Sequence, residues 1–333
     1  MTGKFEIEVY NNRIHYFLTV KRNITILQGD SATGKSELIR LVTEYEENGN
    51  SSGITLKCDA KCTVLTSVDW ELRLNALRGN IIFIDETANF VKSQRFAEMV
   101  RGSDNYFVMV TRDDLEQLPY SIEEIYGLRS DTSKYKPMKR VYNEMYKLYN
   151  LPIVAPIATK VIPEIVITED SNSGFQCFSL IFTNCKSAGG KSNIYRMIRS
   201  AEEAEQMLVI VDGAAFGPEM GKIARYLRAS NKKCVIYAPE SFEYIVLSSG
   251  LIDVPASVLD ETYMHADSIK YMSWEEFYTE YLIQATRETI YRYNKSSLAN
   301  AYKTSGTLKR IVQTLPEQIR PSLLEDDIQD HNL

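Results

Sequence analysis

Residues 29–36 read Gly29-Asp30-Ser31-Ala32-Thr33-Gly34-Lys35-Ser36. They fit G-x-x-x-x-G-K-[ST] at every fixed position. This pattern constrains the fold strongly, because it needs a buried strand before it and a helix after it. Both are legible: Ile24, Thr25, Ile26 and Leu27 make a short buried run, and residues 36–45 carry apolar side chains at helical spacing. The glycines let the backbone wrap an anion, and the amides of the loop and of the helix N-terminus point at it. The implied ligand is a nucleoside triphosphate, ATP, cradled by all eight residues. Lys35 then reaches the β- and γ-phosphates, and Ser36 ligates Mg²⁺.

A partner acid follows. Ile81-Ile82-Phe83-Ile84 is fully apolar and delivers Asp85 to the end of a strand, with Glu86 next. Asp85 is placed to hold the Mg²⁺, and Glu86 to orient or deprotonate the attacking water. Thr111, followed by Arg112, ends a further apolar strand that begins at Tyr106. It is a candidate sensor of the γ-phosphate.

Around these residues, the opening stretch alternates as a hairpin turning at Asn11-Asn12, and 54–67 reads as two strands. Helical segments are expected at 69–77 and 95–101. Strands alternating with helices imply a parallel α/β sheet. We assign 1–133 to this first domain. Residues 134–163, rich in Lys and Tyr and then carrying Pro152, Pro156 and Pro163, read as a linker. A second α/β domain is expected over 164–255, and a helical segment, interrupted near Gly306, over 256–333.

Bulk properties limit the partners. The 333-residue chain carries a net charge of −6, against a broad basic surface. The five cysteines read as reduced thiols of a cytoplasmic protein. Cys58 and Cys62 lack the second ligand pair that zinc needs and are read as flanking a turn. No apolar run reaches the ~20 residues of a membrane span.

In the second domain, Ile165-Val166-Ile167-Thr168 leads into Glu169 and a turn containing Gly174. The strand 208–211 leads into Asp212-Gly213-Ala214. Between them, Gly189-Gly190-Lys191-Ser192 echoes the first loop, but Cys185 stands where the first glycine is needed. Residues 274–310 interleave aromatic side chains with Arg and Lys. They read as a packed amphipathic pair or as a surface for single-stranded nucleic acid.

Two resemblances follow from these residues. The hairpin, the phosphate loop and Asp85-Glu86 resemble the ATPase heads of the ABC/RecF-like and AAA-like group. The step from Ser36 to Asp85 is too short for the helical lobe of an ABC transporter head. No LSGGQ-like signature occurs, so neither transport nor SMC-type clamping is implied. Residues 165–250 resemble a TOPRIM domain, in which a strand-end Glu and an Asp-x-Asp pair hold Mg²⁺ or Mn²⁺ for phosphodiester chemistry. Glu169 matches the first position and Asp212 the first Asp, whereas Ala214 stands at the second. Asp170 and Glu219 are nearby carboxylates that could compensate.

An ATPase joined to a TOPRIM-like domain resembles the overcoming-lysogenisation-defect nucleases and related phage-defence proteins. The resemblance implies an ATP-regulated homo-oligomer acting on DNA or RNA. The alternative is a signalling or scaffold ATPase whose second domain binds a partner and cuts nothing.

Overall fold

The structure, a computed structural model, describes residues 1–29, 34–135, 140–154, 160–202 and 206–321. It is a mixed α/β protein of two compact units. One comprises 1–149 and 261–273, the other 150–260 and 274–333.

The first unit opens with the hairpin β1 (Phe5–Tyr10) and β2 (Ile14–Val20), then β3 (Ile24–Leu27) and helix α1 (Lys35–Asn48). Next come β4 (Thr55–Lys57), β5 (Lys61–Val64), α2 (Trp70–Ala76), β6 (Asn80–Ile84), α3 (Gln94–Val100) and β7 (Asn105–Val110). Strands β8 (Ile125–Asp131) and β9 (Val141–Lys147) complete it. Among the described residues these nine strands form one sheet in the order β4-β1-β2-β9-β8-β3-β7-β6-β5. The run from β8 to β5 is parallel throughout. The rest is mixed, with β9 parallel to β2 but antiparallel to β8.

One topological fact sets the shape of this sheet. β4 and β5 are its two edges, yet only Cys58, Asp59 and Ala60 lie between them. Four residue steps span at most about 14 Å. Nine strands laid flat would separate their edges by about 38 Å, so the sheet has to curl. Its concave face closes on α1, whose Leu38, Ile39, Leu41 and Val42 pack with Ile7, Val9, Tyr16, Leu18, Ile81, Phe83 and Val108. The other face takes the alternate strand residues Ile82, Ile84, Phe107 and Met109, with Leu74 of α2 and Phe96 of α3. Period-two alternation thus feeds two cores from one run of apolar strands. The last turns of α1 are tied to β5: the Glu46 carboxylate accepts from Val64 N–H at 2.9 Å and from the Thr63 hydroxyl.

The second unit contains β10 (Ile153–Val154), β11 (Ile165–Thr168), α4 (Ser173–Ile181), β12 (Cys185–Ser187), α5 (Lys191–Ser200), β13 (Gln206–Ile210), α6 (Gly217–Ala229) and β14 (Lys233–Tyr237). Helices α7 (Phe242–Ser248), α8 (Ala256–Asp260), α9 (Trp274–Thr286) and α10 (Ser305–Thr314) follow. The sheet order is β10-β14-β13-β11-β12, parallel except for β10.

Three boundaries differ from the sequence reading. The expected linker 134–163 supplies β9, which lies between β2 and β8 inside the first sheet, and also β10. Residues 261–273 return to the first unit: the Asn23 amide donates to the Tyr271 carbonyl at 2.9 Å, and Gly3 N–H donates to Tyr263 O at 2.7 Å. Gly306 lies in the first turn of α10, capped by Thr304, and does not break it; the helical pattern lapses instead between α9 and α10. The aromatic residues of the C-terminal stretch are largely core, with Tyr278 and Tyr302 fully buried and Trp274 and Phe277 nearly so. That accounts for the interleaving as packing.

Phe96 has no exposed surface, and its ring meets those of Trp70, Phe90 and Phe107 edge-on. Phe96→Ala is expected to destabilise the first unit by about 3–5 kcal/mol, read as a lowered urea midpoint.

Candidate functional site

The first group of residues collects at one sheet edge. β3, β7 and β6 are successive neighbours, with Leu27 opposite Val110 and Met109 opposite Ile84. The chain leaves all three strands at their carboxyl ends, where α/β sheets bind ligands. Gly29 (φ 118°) and Gly34 (φ 87°) both adopt the left-handed backbone that favours glycine. Asp30, Ser31, Ala32 and Thr33 lie outside the described residues. Lys35 opens α1, is 6 % exposed, and donates from Nζ to the Gly29 carbonyl at 3.1 Å, closing the loop's two ends on each other. Ser36 follows in the first turn. Tyr16 reaches out of β2 and donates from Oη to the Gly34 carbonyl at 2.8 Å.

Asp85 and Glu86 leave β6, and Thr111 leaves β7, between the loop and the two acids. Asp85 Oδ1 is buried and accepts no hydrogen bond among the described residues, while Oδ2 accepts from the Thr87 hydroxyl at 3.3 Å. Glu86 pairs with Arg112 at 3.0 Å. The Thr111 hydroxyl is engaged in a local turn, accepting from Asp113 N–H at 3.0 Å and donating to its carbonyl at 3.2 Å. The structure thus brings Gly29, Gly34, Lys35, Asp85, Glu86 and Thr111 to one edge, with the Thr111 hydroxyl turned to its own backbone.

In the second unit, Glu169 ends β11 and Asp212 follows β13. These strands are adjacent, and the chain leaves them toward opposite sides, to β12 and to β14. That is the switch point of an open parallel sheet, where a crevice forms. Asp212 N–H donates to Glu169 Oε2 at 3.2 Å, and Phe242 N–H, at the start of α7, donates to Asp212 Oδ1 at 3.1 Å. A cavity of about 30 Å³ lies here, lined among others by Glu169, Asp212, Ser173, Glu243, Tyr293 and Lys295. It has room for a water molecule or two, or an ion.

Residues distant in sequence complete this site. Tyr293 donates to Glu243 Oε1 at 2.7 Å and lies 2.5 Å from Ser173 Oγ. Lys295 pairs with Glu275. Burial, then the Glu275 charge, pushes the Glu169 carboxyl up to about 7, against the Asp212 amide that favours its ionised form. Asp212 is raised as well, by burial first and then by the charges of Glu275, Glu169 and Glu243. Burial opposes the Lys295 ammonium, but Glu275 and Glu243 outweigh it and hold its proton more tightly than usual. Lys295 brings a cation to the cluster, and the Lys191 charge also acts on Glu169. Sequence reading missed Glu275 and the convergence of Glu243, Tyr293 and Lys295, since no local pattern joins them to Glu169 across 74 to 126 positions.

Other expectations fare differently. Ala214 is 2 % exposed and is not among the residues that line the cavity. Glu219 is buried against Lys222 and also lies off the cavity, while Asp170 lines it but binds Asn172 N–H at 3.0 Å. Gly213 is required by crowding, because a Cβ there would meet the Pro239 carbonyl at 2.7 Å. The loop at 187–192 is not a second phosphate cradle: Ala188 N–H donates to Thr168 O, Gly189 N–H to Ser187 Oγ, and Gly190 N–H to Glu169 O. Ser241 caps α7, its hydroxyl accepting from Tyr244 N–H at 3.2 Å. Among the described residues, no three or more His, Cys, Asp or Glu side chains are grouped to hold a metal ion, and no helix is long and apolar enough to cross a membrane. No protein-family model, curated protein or solved structure matches this chain.

Two outcomes follow from these geometries. A Cβ on Gly34 would meet Tyr16 Oη at 2.7 Å, in a backbone region that costs about 1–2 kcal/mol outside glycine. Gly34→Ala is therefore expected to destabilise the first unit, with Tyr16→Phe in the same chain recovering the steric part only, as a double-mutant cycle in urea would read.

For Glu169, a folded-state pKa raised above the unfolded value gives stability that is present in acid and lost as pH rises toward about 7. Glu169→Gln should accordingly stabilise the second unit at pH 8 by on the order of a few kcal/mol, read as a raised melting temperature. The gain should vanish near pH 4.5.

Proposed function

We propose that the first unit binds Mg²⁺·ATP at residues 29–36 and hydrolyses it, and that its nucleotide state regulates the second unit, which acts on nucleic acid through the Glu169–Asp212 crevice. The observation that carries the ATP reading is the shared sheet edge. A buried lysine and two left-handed glycines stand at the end of β3, and Asp85, with an orphaned buried Oδ1, stands two strands away. A buried carboxylate oxygen without a partner costs on the order of 1–3 kcal/mol, and a hydrated cation would satisfy it. The donor set at this edge therefore fits Mg²⁺, with Ser36 and Asp85 as its protein ligands and the phosphates as the remainder. When bound, the ion neutralises charge on the β- and γ-phosphates.

The chain's own residues do the rest. Lys35 exchanges the Gly29 carbonyl for phosphate oxygens. Glu86 orients the attacking water or takes its proton, for which it has to leave Arg112. That pair is well exposed, with side chains 31 % and 58 % accessible, so opening it costs about 1 kcal/mol at most. Arg112 is then available to the phosphates. Thr111 has its hydroxyl committed to Asp113, so a sensing role requires that turn to rearrange.

The second unit supports its part of the reading less fully. Glu169 and Asp212 each have an oxygen engaged by a backbone amide, and Lys295 brings its charge to the same cavity. These groups alone do not make a cation shell. Lys295 and the buried Ala214 favour the second reading, a partner-binding unit that cuts nothing. The two diverge on metal-dependent cleavage of plasmid DNA or RNA. Activity with Mn²⁺ that is lost in Asp212→Asn upholds the nucleic-acid reading; none with any substrate or divalent cation leaves the partner-binding one.

Lys35→Ala is expected to abolish calorimetrically measured ATP binding, and unchanged binding would remove the assignment. Glu86→Gln should retain binding and slow turnover on the order of 10²-fold. Wild-type turnover would move the general base elsewhere.

A further inference from the structure

We propose that Arg140, with Lys134 and His15 beside it, forms an oxyanion site that takes the phosphate group of a phosphomonoester or of a nucleic-acid backbone. The site does not rest on the ATP reading, because it lies on the other face of the sheet from α1. Tyr10, His15 and Tyr142 stand in one row across β1, β2 and β9, with Tyr10 opposite His15 and His15 opposite Tyr142. Successive side chains of a strand point to opposite faces. Tyr16 enters the core with α1, so His15 and its row lie outside the curl.

Arg140 meets this row through two rings. Its guanidinium carbon lies 4.7 Å from the centre of the Tyr10 ring and 4.9 Å from that of Tyr135. The same two rings flank His15, at 5.1 Å and 5.9 Å between centroids, and His15 Nδ1 is 2.5 Å from the Tyr135 hydroxyl. The Lys134 ammonium sits 3.1 Å from the centre of the Tyr142 ring, which meets His15 and Tyr135 edge-on. Among the described residues, Arg140 Nε and Nη2 are buried with no hydrogen-bond acceptor, and His15 Nε2 is buried without a partner. Ring contacts attract the guanidinium charge but do not satisfy its in-plane N–H donors. The N–H of Nε and one of Nη2 point the same way, as a fork spaced for two oxygens of one phosphate or carboxylate. Burying that fork with nothing to accept from it is costly, and an oxyanion removes the cost.

The surrounding charge favours phosphate over a carboxylate. Burial first, then the charges of Arg140, Lys134 and Lys57, hold the His15 imidazole below its ordinary value, against the Glu8 carboxylate. The acids around the row are engaged already: Glu8 with Lys57 at 3.4 Å, Glu144 with Arg129 at 2.6 Å, and Asp131 with Ser133 N–H at 2.7 Å. A phosphate fills the fork with two oxygens and has another for Lys134, which a carboxylate lacks. His15 Nε2 adds a donor whenever it carries the proton, as it does if the Tyr135 hydroxyl donates to Nδ1. Tyr10 and Tyr142 belong to strands, whereas Tyr135 lies in the turn beyond β8. Tyr135 is therefore the ring that moves as the anion enters.

The test uses the full chain and two probes. Inorganic phosphate is followed by phosphorus NMR line width, and a fluorescein-labelled oligothymidylate of about fifteen nucleotides by anisotropy. Probe held at the fork should persist in Lys35→Ala and weaken at least about tenfold in Arg140→Lys, which keeps the charge but not the fork. Probe held at the phosphate loop shows the reverse pattern, so the two sites are told apart. Fork-dependent binding of inorganic phosphate identifies a phosphomonoester ligand; fork-dependent binding of the oligonucleotide alone identifies a nucleic-acid backbone. The proposal is overturned if neither probe binds, or if Arg140→Lys melts lower but binds as tightly as wild type. Should Arg140→Lys fail to fold, Lys134→Ala decides, since that side chain is exposed. Binding weakened several-fold there upholds the site, and unchanged binding overturns it.

Discussion

The first unit depends on the burial of α1. A helix whose Leu38, Ile39, Leu41 and Val42 all need cover cannot be sheathed by a flat sheet on one side. The nine strands curl until their edges lie one tight turn apart, and the hairpin β1–β2 becomes the far wall of the same core. This closure fixes the start of the helix as firmly as its middle. Tyr16, from that wall, holds the Gly34 carbonyl, and Glu46, at the other end, holds β5. Lys35 is therefore presented at the sheet edge by packing on both sides of it. The residues proposed to meet phosphate inherit their position from a hydrophobic constraint.

The second unit is governed by charge more than by packing. Around a small cavity, burial and the charges of Glu275, Glu169 and Glu243 raise the Asp212 carboxyl, and Lys295 brings a positive charge to the same group. Burying that many like charges is costly unless protons or cations accompany them. Raised carboxyl affinities at Glu169 and Asp212 and a tightly held Lys295 proton are three expressions of that cost.

Much of this was legible in the sequence, for local reasons. Apolar runs ending in Leu27, Ile84 and Val110 mark three buried parallel strands because such strands must be apolar on both faces. Asn11 announces its turn, with its side chain accepting from Arg13 and Ile14. What escaped reading is non-local. β9 looks like a polar, tyrosine-rich linker, since one of its faces lies outside the curl; only its place between β2 and β8 makes it a strand. The return of 261–273 to the first unit rests on contacts such as Asn23 to Tyr271, which no periodicity reports. The cavity of the second unit combines residues from β11, α4, α7 and the stretch after α9, so that only the fold assembles it. Ala214 was read by its spacing from Asp212, but spacing does not reveal that the position turns into the core.

The central claim is that the edge carrying Lys35 and Asp85 binds a divalent cation together with a triphosphate. Electron paramagnetic resonance of Mn²⁺, titrated with and without a non-hydrolysable ATP analogue, addresses it directly. The account predicts Mn²⁺ binding that appears only with the nucleotide and weakens at least about tenfold in Asp85→Asn, as loss of a charged ligand implies. Nucleotide-independent binding, or binding indifferent to Asp85→Asn, would contradict it.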